Sequence, residues 1–172
     1  LGIIPGAGGT QRLPRAVGVE AGLNMVVSGE AIKSEMLAML PGQKLFDKIS
    51  KSAESLAEEA LAFARSAAAT RPLPLVRDLP CKHPLGDAYF QFARNMVGAM
   101  AKNYPAPLKC IEAVEAAATK KFEEGMATER QIFINLMMTS ESRALRHLFL
   151  GERAASKIPD IDSSVQAREI RS

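Results

Sequence analysis

The residues whose types and spacing bear most directly on chemistry lie near the start of the sequence, in Gly6-Ala7-Gly8-Gly9-Thr10-Gln11. Glycine tolerates positive φ and lets another group come close to the backbone. Here a glycine-rich turn sits between the β-branched Ile3-Ile4 pair and a polar helix start. Such a turn can point successive free N–H groups at an oxygen atom. The same spacing also suits a plain strand-to-helix turn whose glycines serve sterics alone. A Walker phosphate loop is excluded, because no Gly-Lys-Ser/Thr follows. A dinucleotide fingerprint fails as well: its last glycine is missing, and Glu30, about twenty residues on, follows a helical stretch where a second strand would be needed.

Other reactive side chains are sparse. His83 has Asp87 nearby, but Pro84 directly follows His83 and disfavours a helical register between them, so His83 is not read as a general base. Cys81 and Cys110 lack metal-ligand spacing and read as reduced thiols of a cytoplasmic protein. Arg71, Arg77, Lys82 and His83 fall in a stretch stiffened by Pro72, Pro74, Pro80 and Pro84. They could face a phosphate, although a solvated loop accounts for them more simply.

The elements that must position these residues come from an ordinary globular composition. The chain has 172 residues, 47% of them hydrophobic and 24% charged, with a net charge of +3. Aromatic residues make up 5% and Trp is absent, which argues against stacking platforms for bases and hence against a nucleic-acid partner. No apolar run approaches the ~20 residues needed to cross a bilayer. No internal repeat is present.

Periodicity predicts a mainly helical chain. Thr10 is a candidate N-cap for a first short helix. Val19, Leu23, Val26 and Val27 share one face of a second, and Ser34 can cap a third. Residues 44–49 alternate as a short strand. Ser52 would cap a helix whose buried stripe is Leu56, Ala60, Phe63 or Ala64, and Ala67. Further helices are expected over residues 87–102, 108–119, 122–138 and 139–157. Leu145, Leu148 and Phe149 face inward on the last of these. Val165 and the residues after it read as a linker.

The opening, Leu1-Gly2-Ile3-Ile4-Pro5-Gly6-Ala7-Gly8-Gly9-Thr10-Gln11-Arg12-Leu13-Pro14-Arg15-Ala16-Val17-Gly18, closely resembles the signature of the crotonase (enoyl-CoA hydratase/isomerase) superfamily. Ser28-Gly29-Glu30-Ala31-Ile32 and Leu45-Phe46-Asp47-Lys48-Ile49 resemble two later steps of that pattern. Leu40-Pro41-Gly42-Gln43-Lys44 departs from the usual small-residue entry to the second. Ala106-Pro107-Leu108-Lys109-Cys110-Ile111-Glu112-Ala113-Val114, Phe122-Glu123-Glu124-Gly125-Met126-Ala127-Thr128-Glu129-Arg130 and Glu141-Ser142-Arg143-Ala144-Leu145-Arg146-His147-Leu148-Phe149 are similar to one subgroup. In that subgroup, the multifunctional fatty-acid β-oxidation enzymes, an NAD-dependent 3-hydroxyacyl-CoA dehydrogenase follows the hydratase domain.

The resemblance implies the C-terminal part of a crotonase-like α/β fold with one or two short strands, followed by a helical segment. Residues 1–70 would belong to the core, 71–86 to the Pro-rich basic loop and 87–158 to C-terminal and linker helices. Residues 159–172 would lead to a dehydrogenase domain outside this chain. It implies hydration of a 2-enoyl-CoA by two glutamates and a pair of oxyanion-hole N–H groups. The family keeps those glutamates upstream of Leu1, so the chain alone is expected to be inactive. What it retains by resemblance is Gly6, whose backbone N–H helps hold the catalytic water. Phe149, Arg153 and Lys157 are implied as coenzyme A contacts. The substrate is a coenzyme A thioester, with NAD used only by the further domain and no cofactor or metal in this chain. Glu112, Glu115, Glu124 and Glu129 are expected to be structural. The contrasting expectation is a non-catalytic helical docking module, self-associating through an apolar face around Ile3, Ile4 and Leu45.

Overall fold

The computed structural model describes residues 1–155 together with 164 and 165. The described residues are mainly helical and contain no strand. Among the described residues eight α-helices occur in order: α1 (Gly9–Val17), α2 (Val19–Ser28), α3 (Ser34–Ala38), α4 (Leu56–Ala67), α5 (Asp87–Met100), α6 (Pro105–Thr119), α7 (Phe122–Met137) and α8 (Ser140–Ala155). A single 3₁₀ turn, Val76–Asp78, interrupts the Pro-rich loop before α5.

Helix α6 is the centre of the packing. Pro105 begins it, where a missing N–H costs nothing. Its Ala, Val and Ile side chains then let neighbours approach on several sides, and α1, α2, α5 and α7 all pack against it. Ile111, Ala113 and Val114 are fully buried, with Leu23 of α2, Phe90 of α5, Ile132 and Leu136 of α7 in the same core. Arg94 of α5 grips Glu115 of α6 with Nη2 2.7 Å from both carboxylate oxygens, a forked pair that fixes the angle between those helices. Cys110 donates to the Val26 carbonyl at 3.5 Å, and burial pushes its thiol up to about 12.

Several expectations are corrected here. Residues 44–49 are not a strand. The Lys44 N–H donates to Ala16 C=O at 2.6 Å, and the Gln43 side chain takes the Leu45 and Phe46 N–H groups. A strand needs a neighbouring strand to satisfy its backbone, and none lies among the described residues. Helix α4 forms with Ser55 as its N-cap residue, and Ser52 instead accepts the Ser55 N–H. Its expected apolar stripe is not buried: Leu56 is 56% exposed and Phe63 40%. On α8, Leu148 and Phe149 are also exposed, and Leu145 is half-buried. The face expected to be open around Ile4 is closed, because Ile4 is 1% exposed. Leu45 remains open.

Phe90→Ala should therefore destabilise the chain by about 3–5 kcal/mol in urea unfolding. Phe63→Ala on α4 should stay within about 0.5 kcal/mol of wild type. A pH prediction follows from Cys110. The unfolded thiol loses its proton near 9.0, while the native one holds it to about 12. The native state thus binds more protons in that window, so stability is full below pH 9 and falls as pH rises toward 12. The urea midpoint of Cys110→Ala should decline less steeply across that range than that of wild type.

Candidate functional site

The glycine turn is built from its backbone outward. The Gly9 N–H donates to Gly6 C=O at 3.0 Å, and both residues between them have positive φ, Ala7 at 53° and Gly8 at 85°. This is the pattern of a primed β-turn. Gly8 suits its conformation; Ala7 holds the left-handed region against its own Cβ. Gly8 is also the N-cap residue of α1, in place of the Thr10 expected from the sequence.

The oxygen atom that the turn's N–H groups were expected to meet belongs to the protein itself. Glu129 of α7, 2% exposed, brings its carboxylate to the start of α1. Its Oε1 accepts the Gly8 N–H at 2.6 Å. Its Oε2 accepts the Thr10 N–H at 2.9 Å and the Thr10 hydroxyl at 2.5 Å. A negative charge at a helix N-terminus is favoured by the helix dipole as well as by these donors. Sequence reasoning placed Glu129 among structural glutamates but missed this role. One face of α7 offered a signal, since Gly125 and Leu136 stand with Glu129 among its buried residues.

Beyond the carboxylate the polar network continues inward. Gln11 Nε2 donates to Thr10 Oγ1 at 2.9 Å and to Ala113 C=O at 2.8 Å. Arg15 donates from Nη1 to Gln11 C=O at 2.6 Å and from Nη2 to Ala117 C=O at 3.1 Å. The guanidinium groups of Arg12, Arg15 and Arg77 lie 5.4, 5.2 and 5.0 Å from the Phe122 ring centre. Arg77 also pairs with Glu123 at 2.6 Å, which ties the basic loop to α7.

Gly6 lies at the outer end of this arrangement. It is exposed, with the Phe133 ring of α7 in van der Waals range of where a Cβ would sit. Two cavities meet there. One, of about 410 Å³, runs along Gly9, Arg12 and Lys44; the other, of about 540 Å³, runs along Met126, Arg130 and Phe133. Among the described residues the Gly6 N–H has no protein acceptor.

The coenzyme A candidates are elsewhere. Phe149 is 38% exposed on α8, and the Arg153 guanidinium stands 4.5 Å from its ring centre. Lys157 lies outside the described residues. Of the other glutamates, Glu112 pairs with Lys109 at 2.6 Å and Glu115 with Arg94. No group of side chains with metal-binding geometry occurs among the described residues, and no described helix is long and apolar enough to cross a membrane.

No family model matches the chain. Individual relatives do. It is 31% identical over 180 aligned positions to a glyoxysomal fatty acid beta-oxidation multifunctional protein, MFP-a, of Brassica napus, covering 99% of this chain and 24% of that one. It is 34% identical over 161 positions to a peroxisomal bifunctional enzyme of Danio rerio and 37% over 163 to that of Cavia porcellus, each covering 91% of this chain and 21% of the relative. The chain thus spans less than a quarter of the length of these relatives.

Room for the network rests on Gly125, where a Cβ would collide with Gln11 Oε1 and come within 3.0 Å of Gln11 Cδ. Gly125→Ala should cost about 1–3 kcal/mol in urea unfolding despite its higher helix propensity. A stabilised variant would show that Gln11 can move aside.

Proposed function

We propose, from the membership of this chain in the family of multifunctional fatty acid β-oxidation proteins, that it is part of a domain hydrating 2-enoyl-CoA to 3-hydroxyacyl-CoA. The reading rests chiefly on one observation. The N–H groups of Gly8, Gly9 and Thr10 are engaged, and that of Gly6, like that of Ala7, has no protein acceptor among the described residues where two cavities meet. Such a donor can hold a water molecule or an oxygen of a reacting thioester without rearrangement. The chemistry needs two carboxyl groups to move protons to and from the α-carbon and the water. Those are assigned to residues outside this chain. Glu129 is not one of them, because its oxygens are already occupied by Gly8 and Thr10.

The substrate is read as a coenzyme A thioester. The exposed Phe149 ring under the Arg153 guanidinium offers a stacking surface and a positive charge of the kind an adenine and phosphate would use. NAD is assigned to a further dehydrogenase domain of the whole protein, with residues 159–172 leading to it. The glyoxysomal and peroxisomal names of the relatives favour the matrix of such an organelle over the cytoplasm expected from the two thiols.

A second reading, a helical docking module, is favoured by a different face. Between α2, α3 and α5 an apolar groove of about 720 Å³ is lined by Met36, Phe92, Met96 and Met100 among others, all of them exposed. Methionine-rich surfaces adapt to varied partners. Light scattering and a coenzyme A titration separate the two readings: a dimer without coenzyme A affinity would favour docking.

The activity test uses crotonyl-CoA, followed by loss of the conjugated thioester absorbance. The 172-residue chain should give no turnover, and the longer hydratase protein containing it should give clear turnover. Hydration by clean 172-residue material, or none by the longer protein, would sink the proposal.

A further inference from the structure

We infer that Glu129 is a positioning residue, whose carboxylate fixes the Gly8–Thr10 limb of the turn and so sets the direction in which Gly6 presents its N–H. This rests on the reading of Gly6 given above. Three observations carry it.

The first is the number of constraints between Glu129 and Gly6. The carboxylate holds the N–H of Gly8 and both donors of Thr10. Gly9, between them, returns its N–H to Gly6 C=O at 3.0 Å. The φ values of Ala7 and Gly8 are the ones that close this turn. Few torsions remain by which Gly6 could rotate while the carboxylate stays in place.

The second is that α7 contacts Gly6 as well. Phe133, one helical turn beyond Glu129, lies under Gly6 at 3.5 Å from an added Cβ. One rigid helix thus supplies both the clamp and the floor of the turn.

The third is at the other end of the segment. The Ser142 hydroxyl, fully buried at the start of α8, donates to Leu1 C=O at 3.0 Å. The segment from Leu1 to Thr10 is therefore tied at both ends to side chains of α7 and α8, with exposed Gly6 between the ties. Without the carboxylate, Gly8 and Thr10 would seek water, and the turn would lose the partner that makes its left-handed residues worthwhile.

The test reads amide signals of the ¹⁵N-labelled 172-residue chain. In Glu129→Gln one oxygen still accepts, but the other becomes an NH₂ group that cannot accept from the backbone N–H it faces. One of the Gly8 and Thr10 amides should then lose at least about tenfold in exchange protection, and the Gly6 amide signal should shift. Ile132→Val, buried on the same helix, serves as the control: it should lower the unfolding midpoint and leave the Gly6, Gly8 and Thr10 signals in place. Should Glu129→Gln fail to fold, Thr10→Val removes a single donor to the same carboxylate and should also shift Gly6, while Thr10→Ser restores the original signal.

In the longer hydratase protein, Glu129→Gln should lower kcat on the order of 100-fold with KM within about twofold, as expected when a reacting group is misplaced. A Gly6 signal that stays put in both Glu129→Gln and Thr10→Val would overturn the inference and leave Glu129 a stabilising residue only. A shifted Gly6 signal with unchanged kcat would instead sink the catalytic reading of Gly6, and with it the functional half of the inference. The wild-type longer protein separates the remaining case, since absence of any hydration there defeats the proposed function whatever the amide signals do.

Discussion

A buried carboxylate facing the first turn of a helix is the interaction from which the rest of this structure follows. Stripping water from a carboxylate costs several kcal/mol even after the protein relaxes. Glu129 recovers that cost through three donors on Gly8 and Thr10. Hydrogen bonds to charged groups contribute about 1.5–3 kcal/mol each, so the set can offset the burial. The partners are more than a hundred residues apart in sequence. The contact therefore fixes how the chain's beginning meets α7.

The same logic extends along α1. This helix is polar, yet Thr10, Gln11 and Arg15 are buried. Gln11 and Arg15, one helical turn apart, donate to Ala113 and Ala117, also one turn apart on α6. A carbonyl inside a helix keeps a second lone pair, so it can accept a side chain without giving up its own helical bond. The small residues Ala113, Ala117 and Gly125 allow the backbones to come this close. What would ordinarily be an apolar helix interface is here held by side-chain donors on backbone acceptors, although Gln11 Oε1 and Arg15 Nε stay buried without a partner. Such pairing specifies one alignment, because a shift of a single residue would leave Gln11 and Arg15 buried without these acceptors.

Much of the helical order was legible in the sequence. The 3.6-residue period of Val19, Leu23 and Val26 marks α2, and Pro41 marks a stop after α3, because such cues act locally. The misread elements depend on partners that local cues do not name. The stripe of Leu56, Phe63 and Ala67 shows that α4 has a face suited to burial, but the described residues provide no element to cover it. The alternation of residues 44–49 describes a strand, but a strand is completed by a neighbour's backbone. Glu129 is the instructive case. The sequence reads it only as a structural glutamate, and only the fold brings the turn's donors to it. The spacing marked a turn able to point N–H groups at an oxygen, and the oxygen they meet lies 119 residues from Thr10.

That acceptor also decides which chemistry the turn can perform. Successive N–H groups at a helix N-terminus are ordinarily suited to a phosphate. Here the Gly8 and Thr10 donors are already taken by a carboxylate, and a phosphate approaching them would meet that negative charge at close range. The Arg12 side chain, the nearest cation that would compensate, is turned back to Ala7 C=O at 2.6 Å. The turn thus gives up anion binding and gains rigidity. Its remaining donors, on Gly6 and Ala7, have no competing protein partner among the described residues, and Gly6 has no side chain to crowd an incoming group. A neutral oxygen, such as that of water, fits such a donor better than an anion does. The tighter Glu129 holds the rest of the turn, the less such a donor must reorganise on meeting an oxygen.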